Sequence, residues 1–129
     1  MHKLICLMGL VVVVFLSFGC AVKSPSPEEI AKAYYGEFPD TYKEQIAKEA
    51  AKILIDPYSA QYEFQGKPQR AWIHNNGKSY SYGWGGIVYI NAKNRFGGYV
   101  GREPYEYFVQ SSFVKIWPFG FTKNLNYVY

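Results

Sequence analysis

Apolar and polar side chains alternate along residues 80–92. The even positions carry an apolar or small set: Tyr80, Tyr82, Trp84, Gly86, Val88, Ile90 and Ala92. The odd positions carry a more polar set: Ser81, Gly83, Gly85, Ile87, Tyr89 and Asn91. Because alternate side chains of a strand point to opposite faces, this pattern predicts a strand whose even-numbered face packs in the core.

A second aromatic-rich strand is predicted to follow from Tyr99, with Tyr105, Tyr107 and Val109 on one face. Residues 92–98 join the two strands and contain Asn and Gly, the residues that adopt positive φ at least cost. So short a connection favours an antiparallel pair. The glycines at 83, 85 and 86 are typical of a bulge, a bend or a close approach by another backbone, and the pattern leaves these three open.

Two helices are predicted before the first strand. The shorter one begins at Ser26 with a capping box to Glu29 and ends near Gly36. The longer one begins at Thr41 with a second capping box, and Asp56-Pro57 ends it because the residue before proline disfavours the α region. Its apolar stripe is predicted to pack on the sheet: Tyr42, Ile46, Ala50, Ile53 and Leu54.

The remaining strand patterns lie at 61–65, 71–74 and 113–117, and the last of these could extend the preceding strand or start another. The predicted class is α+β, with one main amphipathic helix and a short N-terminal helix packed on a three- to four-stranded antiparallel sheet. The single domain is placed at 28–121. Residues 122–129 are predicted to be a C-terminal tail, although Tyr127 and Tyr129 could dock onto the domain.

The N-terminal segment has the pattern of an export signal. A basic start precedes an apolar run that is shorter than the ~20 residues of a membrane-spanning helix. Residues 1–19 are therefore predicted to be a lipoprotein signal peptide, with lipidation by palmitate-type chains at Cys20 and a tether at 20–27. Ser17 and Phe18 depart from the usual lipobox residues, whereas Gly19 fits. Ordinary cleavage after Ala21 and an uncleaved membrane anchor are the alternatives.

The expected location is the cell envelope, in the outer membrane facing the periplasm if the cell is Gram-negative. The formal net charge is +4 and the basic residues are spread along the chain, whereas nucleic-acid binders usually show a basic stripe. No nucleic-acid partner is expected. The expected membrane contact is the lipid on Cys20.

Two motifs, DPYSAQYEF at 56–64 and INAKNRFGGYVG at 90–101, resemble those of a group of small exported bacterial lipoproteins that carry DPxSAxF and NAKNxxGGYxG. The resemblance covers about half of the chain beyond the signal segment. It is a group without an assigned activity. The resemblance therefore implies an exported fold and brings no catalytic residues.

The sequence offers little for catalysis. His74 is the single histidine beyond the signal segment, and Glu103 and Glu106 fall on opposite faces of a strand. No serine lies in a G-x-S-x-G elbow, and Cys20 is the single cysteine beyond the signal. We therefore expect no enzyme activity, no cofactor and no metal site, with a hydrolase as the remote alternative.

The sequence thus predicts an envelope lipoprotein that acts through contacts with protein or with other envelope components. The alternative is a small glycan- or anion-binding module that uses aromatic rings and one turn. Gly97 and Gly98 beside basic residues could hold an anion, although turn formation explains them as well. The candidate binding residues are Asn91, Lys93, Asn94, Arg95 and Tyr99.

Overall fold

The computed structural model describes residues 23–77, 79–111, 113–121 and 125–129. The signal segment and Cys20 lie outside the described residues. Two helices precede six strands. Their bounds are α1 Pro27–Lys32, α2 Tyr42–Ala50, β1 Asp56–Phe64, β2 Gln69–Asn75, β3 Ser79–Lys93, β4 Glu103–Gln110, β5 Phe113–Pro118 and β6 Leu125–Tyr127.

All six strands form one antiparallel sheet around β3. Strand β4 pairs with β3 over residues 84–90, and β5 continues the sheet beyond β4. The other edge of β3 has two partners, because β2 pairs with residues 79–85 and β1 with residues 88–93. Strand β6 then adds to β2. The long alternating run in the sequence is thus the strand from which the sheet is built.

The even-numbered face of β3 is a core face, as predicted. Val88 and Ile90 are buried there beside Tyr107 and Val109 of β4, and Ile46 of α2 covers them. Burying a large aliphatic side chain contributes about 1.5–3 kcal/mol, so this layer is a main source of stability. The opposite face holds a second cluster, in which Ala71, Ile73 and Phe108 pack with partly buried Phe113, Trp117, Leu125 and Tyr127.

The glycines of β3 provide space for close approaches. A Cβ atom on Gly83 would lie 2.5 Å from the carbonyl oxygen of Val109, and one on Gly86 would lie 2.3 Å from Oη of Tyr107. A Cβ on Gly85 would meet Leu125 of β6 at 2.9 Å. Close approach by another backbone therefore explains Gly83, whereas the nearest atoms at Gly85 and Gly86 belong to side chains.

The predicted α+β class is wrong. Over the residues that the structure describes, the domain is mostly β, with a six-stranded antiparallel sheet and two short helices, and no main amphipathic helix packs on a three- to four-stranded sheet. Helix α2 ends at Ala50, where turn hydrogen bonds from Lys52 and Ile53 replace the helical pattern. Ile53 is 54% exposed and so does not extend the buried stripe.

The additional strands come from segments whose patterns were weaker. Asp56 and Pro57 begin β1, so this strand starts five residues before its alternating pattern. A turn at Ser111 separates β5 from β4. Leu125–Tyr127, inside the segment predicted to be a tail, forms β6.

The two predicted capping boxes have different outcomes. At α1, the amide of Ser26 donates to Oε2 of Glu29 at 2.7 Å, and the amide of Glu29 donates to Oγ of Ser26 at 3.2 Å. These hydrogen bonds lower the pKa of the Glu29 carboxyl. At α2 the predicted box is wrong, because Oγ1 of Thr41 caps no backbone amide and accepts from Nε2 of Gln45 instead.

Candidate functional site

The two sequence motifs meet at one end of the sheet. Asp56 pairs with Lys93, and the register shifts between Asp56 and Gln61. Oγ of Ser59 accepts from the amide of Lys93 at 2.8 Å and donates to the carbonyl oxygen of Asp56 at 2.8 Å. The Asp-Pro-x-Ser segment thus forms a β-bulge that holds the end of β3, which explains its residue types in structural terms.

The candidate turn is built by asparagine side chains. Oδ1 of Asn94 accepts from the amides of Phe96 and Gly98, at 2.9 and 3.2 Å. Oδ1 of Asn91 accepts from the amide of Gly101 at 3.0 Å. Gly97 has φ +80°, a conformation in which glycine avoids the strain of other residues. Both asparagine oxygens therefore serve the turn.

The cations of this hairpin lie over aromatic rings. Nζ of Lys93 is 5.4 Å from the ring centre of Tyr99, and the Arg95 guanidinium is 5.4 Å from that of Phe96. The structure therefore brings all five predicted binding residues together in one hairpin. None of the four concavities described along the chain is lined by any of them.

Exposed apolar side chains lie in this hairpin, in the bulge that pairs with it and in the segment just before that bulge. Phe96 is 84% exposed, and Tyr58, in the bulge that pairs with the hairpin, is fully exposed. We call this surface the apolar end, formed by Ile53, Ile55, Tyr58, Phe96, Tyr99 and Val100. Exposed apolar side chains at one end of a domain are typical of interaction sites.

The first described residues contact the other end of β3. The Tyr80 hydroxyl donates a hydrogen bond to the carbonyl oxygen of Lys23. We call this the tether end, defined by Lys23, Ser79 and Tyr80. Lys93 lies thirteen positions after Tyr80 in β3, a contour of about 43 Å at ~3.3 Å per residue.

The residues considered for catalysis are dispersed. The His74 ring packs against Trp72 and Tyr80, with centroids 5.3 and 5.0 Å away. Its Nδ1 is buried without a hydrogen-bond partner in the described part of the chain. Glu106 accepts from Nε1 of Trp117 at 2.9 Å, whereas Glu103 lies exposed on the opposite face of β4. Within the described ranges, no group of three or more His, Cys, Asp or Glu residues could hold a metal.

A concavity of about 360 Å³ lies on the helix side of the sheet. We call it the Trp84 pocket. Its aromatic wall is formed by Tyr34, Tyr35, Phe38 and Trp84, and its polar rim by Glu37, Asp40, Gln45 and Gln110. The Phe38 and Trp84 rings meet edge to face at 5.1 Å, and Nε1 of Trp84 donates to the carbonyl oxygen of Gly36 at 3.3 Å.

Sequence reasoning did not select this pocket. Most of its wall comes from residues 34–41, which lie between the two helices and follow no strand or helix period. The available signal was composition, since tyrosine, phenylalanine and acidic residues are dense in YYGEFPDT. Such a segment gains its shape by packing onto Trp84, a long-range contact that local patterns do not encode.

Comparisons with known proteins add no relative. No protein-family model, curated protein sequence or solved structure matches this chain. Among the described residues, no helix has the length and apolar character needed to span a bilayer.

Proposed function

We propose that this chain is a non-enzymatic lipoprotein of the bacterial cell envelope, attached by a lipid on Cys20, that binds another envelope protein at its apolar end. In a cell with an outer membrane, it is held at that membrane and faces the periplasm. The observation that carries the proposal is the separation of the tether end from the apolar end along β3.

This separation gives the anchored molecule a direction. Cys20 precedes Lys23 by three residues, and three residues of chain span at most about 11 Å, at 3.8 Å per residue. Lys23 contacts Tyr80, and Lys93 lies at the far end of the same strand. A lipid on Cys20 therefore holds the membrane near the tether end. The apolar end is then available to a partner other than that membrane.

The composition of the apolar end fits a protein partner. Aromatic side chains and arginine are enriched at the cores of protein interfaces, and Tyr58, Phe96, Tyr99 and Arg95 supply them here. Neither Lys93 nor Arg95 has a carboxylate within ion-pair distance among the described residues. The matching surface on the partner is therefore apolar at its centre and acidic at its rim.

The glycan- or anion-binding alternative has less support. The side-chain oxygens of Asn91 and Asn94 accept backbone amides of their own hairpin. The two nearest cations rest over Tyr99 and Phe96. A ligand would have to displace these contacts, whereas a protein surface could pack on the exposed rings as they stand.

Photo-crosslinking in intact cells tests the docking. A photoreactive phenylalanine analogue replaces Phe96 in one variant and Ser79, at the tether end, in the control. We expect a discrete protein adduct from position 96 alone. With the captured partner purified, Phe96→Ser should weaken its binding at least about tenfold, as expected for an interface anchor. Equal adducts from both positions, or adducts with glycan alone, would contradict the proposal.

The lipid anchor has its own test. Intact-mass analysis of the membrane-extracted protein should show a chain that starts at Cys20 and carries acyl groups. The Cys20→Ser variant should lack these groups and leave the membrane fraction. An unacylated chain that still begins at Met1 would refute the anchor.

A further inference from the structure

The Trp84 pocket has the size and wall of a small-ligand site. Its volume of about 360 Å³ lies within the range of roughly 300–1,000 Å³ that is usual for such pockets. Tyr34 is 81% exposed and Phe38 is 39% exposed. Both rings therefore offer surface to a ligand, and Trp84 of β3 packs against the Phe38 ring.

The charge of the pocket differs from that of the chain. The whole protein has a formal charge of +4. Glu37 and Asp40 line the pocket, whereas none of its described lining residues is Lys, Arg or His. An anionic ligand is therefore disfavoured, and a cation is attracted.

Hydrogen bonding within the chain also selects the ligand. Nε2 of Gln45 donates to Oγ1 of Thr41 at 3.0 Å, and Nε2 of Gln110 donates to the carbonyl oxygen of Tyr82 at 3.0 Å. Nε1 of Trp84 donates to Gly36. Each of these three groups thus has one N–H engaged, although each glutamine amide keeps a second N–H. The two carboxylates and the amide oxygens can still accept. This balance favours a ligand that donates hydrogen bonds or carries positive charge.

We infer that the Trp84 pocket binds a ligand bearing an ammonium group, with the cation over the aromatic wall and within reach of Asp40 and Glu37. Cations are attracted to the faces of Trp, Tyr and Phe rings. The Arg70 guanidinium already lies 5.4 Å from the ring centre of Tyr35, so the ligand cation is expected over the other rings of the wall, those of Tyr34, Phe38 or Trp84. The inference is independent of the lipid anchor and of the apolar end.

Fluorine NMR of the full chain labelled with 5-fluorotryptophan tests the inference. The chain has three tryptophans, whose signals are assigned with single Trp→Phe variants. The probes are choline, its uncharged isostere 3,3-dimethylbutanol, and N-acetyl-lysine methylamide. We expect a cationic probe to shift the Trp84 signal in a saturable way. The isostere should bind at least about tenfold more weakly, because it lacks the charge.

The two cationic probes distinguish two sources of the ammonium group. Tighter binding of choline indicates a small quaternary amine, and tighter binding of the lysine derivative indicates a basic peptide. Glu37→Gln and Asp40→Asn should each weaken binding about twofold to fivefold, as exposed ion pairs do. Tyr34→Ser should weaken it similarly. The control Glu28→Gln removes an exposed acid that pairs with Lys32 outside the pocket and should leave binding unchanged.

Three results would overturn the inference. One is equal binding of the charged probe and its isostere. Another is unchanged affinity in the double variant Glu37→Gln/Asp40→Asn. The third is the absence of any saturable shift at Trp84 with either cation.

Discussion

Adding one methyl group at Gly86 should destabilise the domain sharply. In Gly86→Ala, the new Cβ would lie 2.3 Å from Oη and 2.6 Å from Cζ of Tyr107. Normal contacts between such atoms are about 3.5–4.0 Å. The Tyr107 ring or the β3 backbone would therefore have to move by more than about 1 Å.

Neither movement is easy, because the ring is enclosed. Tyr107 is fully buried and packs against Tyr42 and Phe64, with ring centroids about 6 Å away. Gly86 pairs with Tyr107 in the sheet, so a shift of either strand would disturb the ladder. Overpacking of a filled core costs typically ~1–3 kcal/mol. The expected loss for Gly86→Ala is at the upper end of that range, about 3 kcal/mol.

Gly98→Ala is the matched control. A Cβ at Gly98 meets nothing closer than 3.9 Å, and the residue lies outside the positive-φ region. There alanine should stabilise by about 0.4–1 kcal/mol, because it restricts the unfolded chain. Urea denaturation of both variants measures the free energy of unfolding. If the free energy of unfolding of Gly86→Ala lies within about 0.5 kcal/mol of that of the parent, the Gly86–Tyr107 contact is not as tight as inferred.

Two further changes test other parts of the fold. Ser59→Ala should lower the free energy of unfolding by about 1–3 kcal/mol in urea denaturation, because it leaves the amide of Lys93 without its partner. Ser79→Ala is the control, and an equal loss of stability in both variants would refute a role for the bulge. Burial raises the pKa of Tyr107 and raises that of Tyr127 to about 12. The folded state therefore keeps protons that the unfolded state loses above pH 10, and stability should fall from pH 10 to 12. The decline should be smaller in the double Tyr→Phe variant, and an unchanged decline would assign it to other groups.

The sequence was informative where periodicity was long. Thirteen alternating residues predicted β3 and its core face, and Val88 and Ile90 are buried there. Strand β6 has three residues and gains its place by pairing with β2, about fifty residues earlier in the chain. The helix predicted at α2 was too long because Ile53 and Leu54 continue a helical spacing, which the turn after Ala50 interrupts. Short elements follow tertiary contacts more than local pattern.

For the candidate sites, the sequence predicted which residues lie together better than it predicted what each residue does. It placed Asn91, Lys93, Asn94, Arg95 and Tyr99 in one turn, and they lie together. It did not show that the asparagines build the turn, because their hydrogen bonds depend on the hairpin geometry. The Trp84 pocket was missed because its wall joins residues about fifty positions apart.

The residues of the two motifs fall into two groups, polar residues that hold the fold and exposed aromatic residues that do not. Ser59 and Asn94 are occupied by backbone hydrogen bonds, so the fold alone accounts for them. Phe96 and Tyr58 are exposed, and the core does not need them. Exposed apolar rings grouped at one end favour aggregation unless another surface covers them. The fold therefore explains the polar part of the motifs, while the exposed rings are the part that the proposed partner would cover. Variants of Phe96 and Tyr58 should consequently keep their stability and lose binding, the reverse of what Ser59→Ala should do.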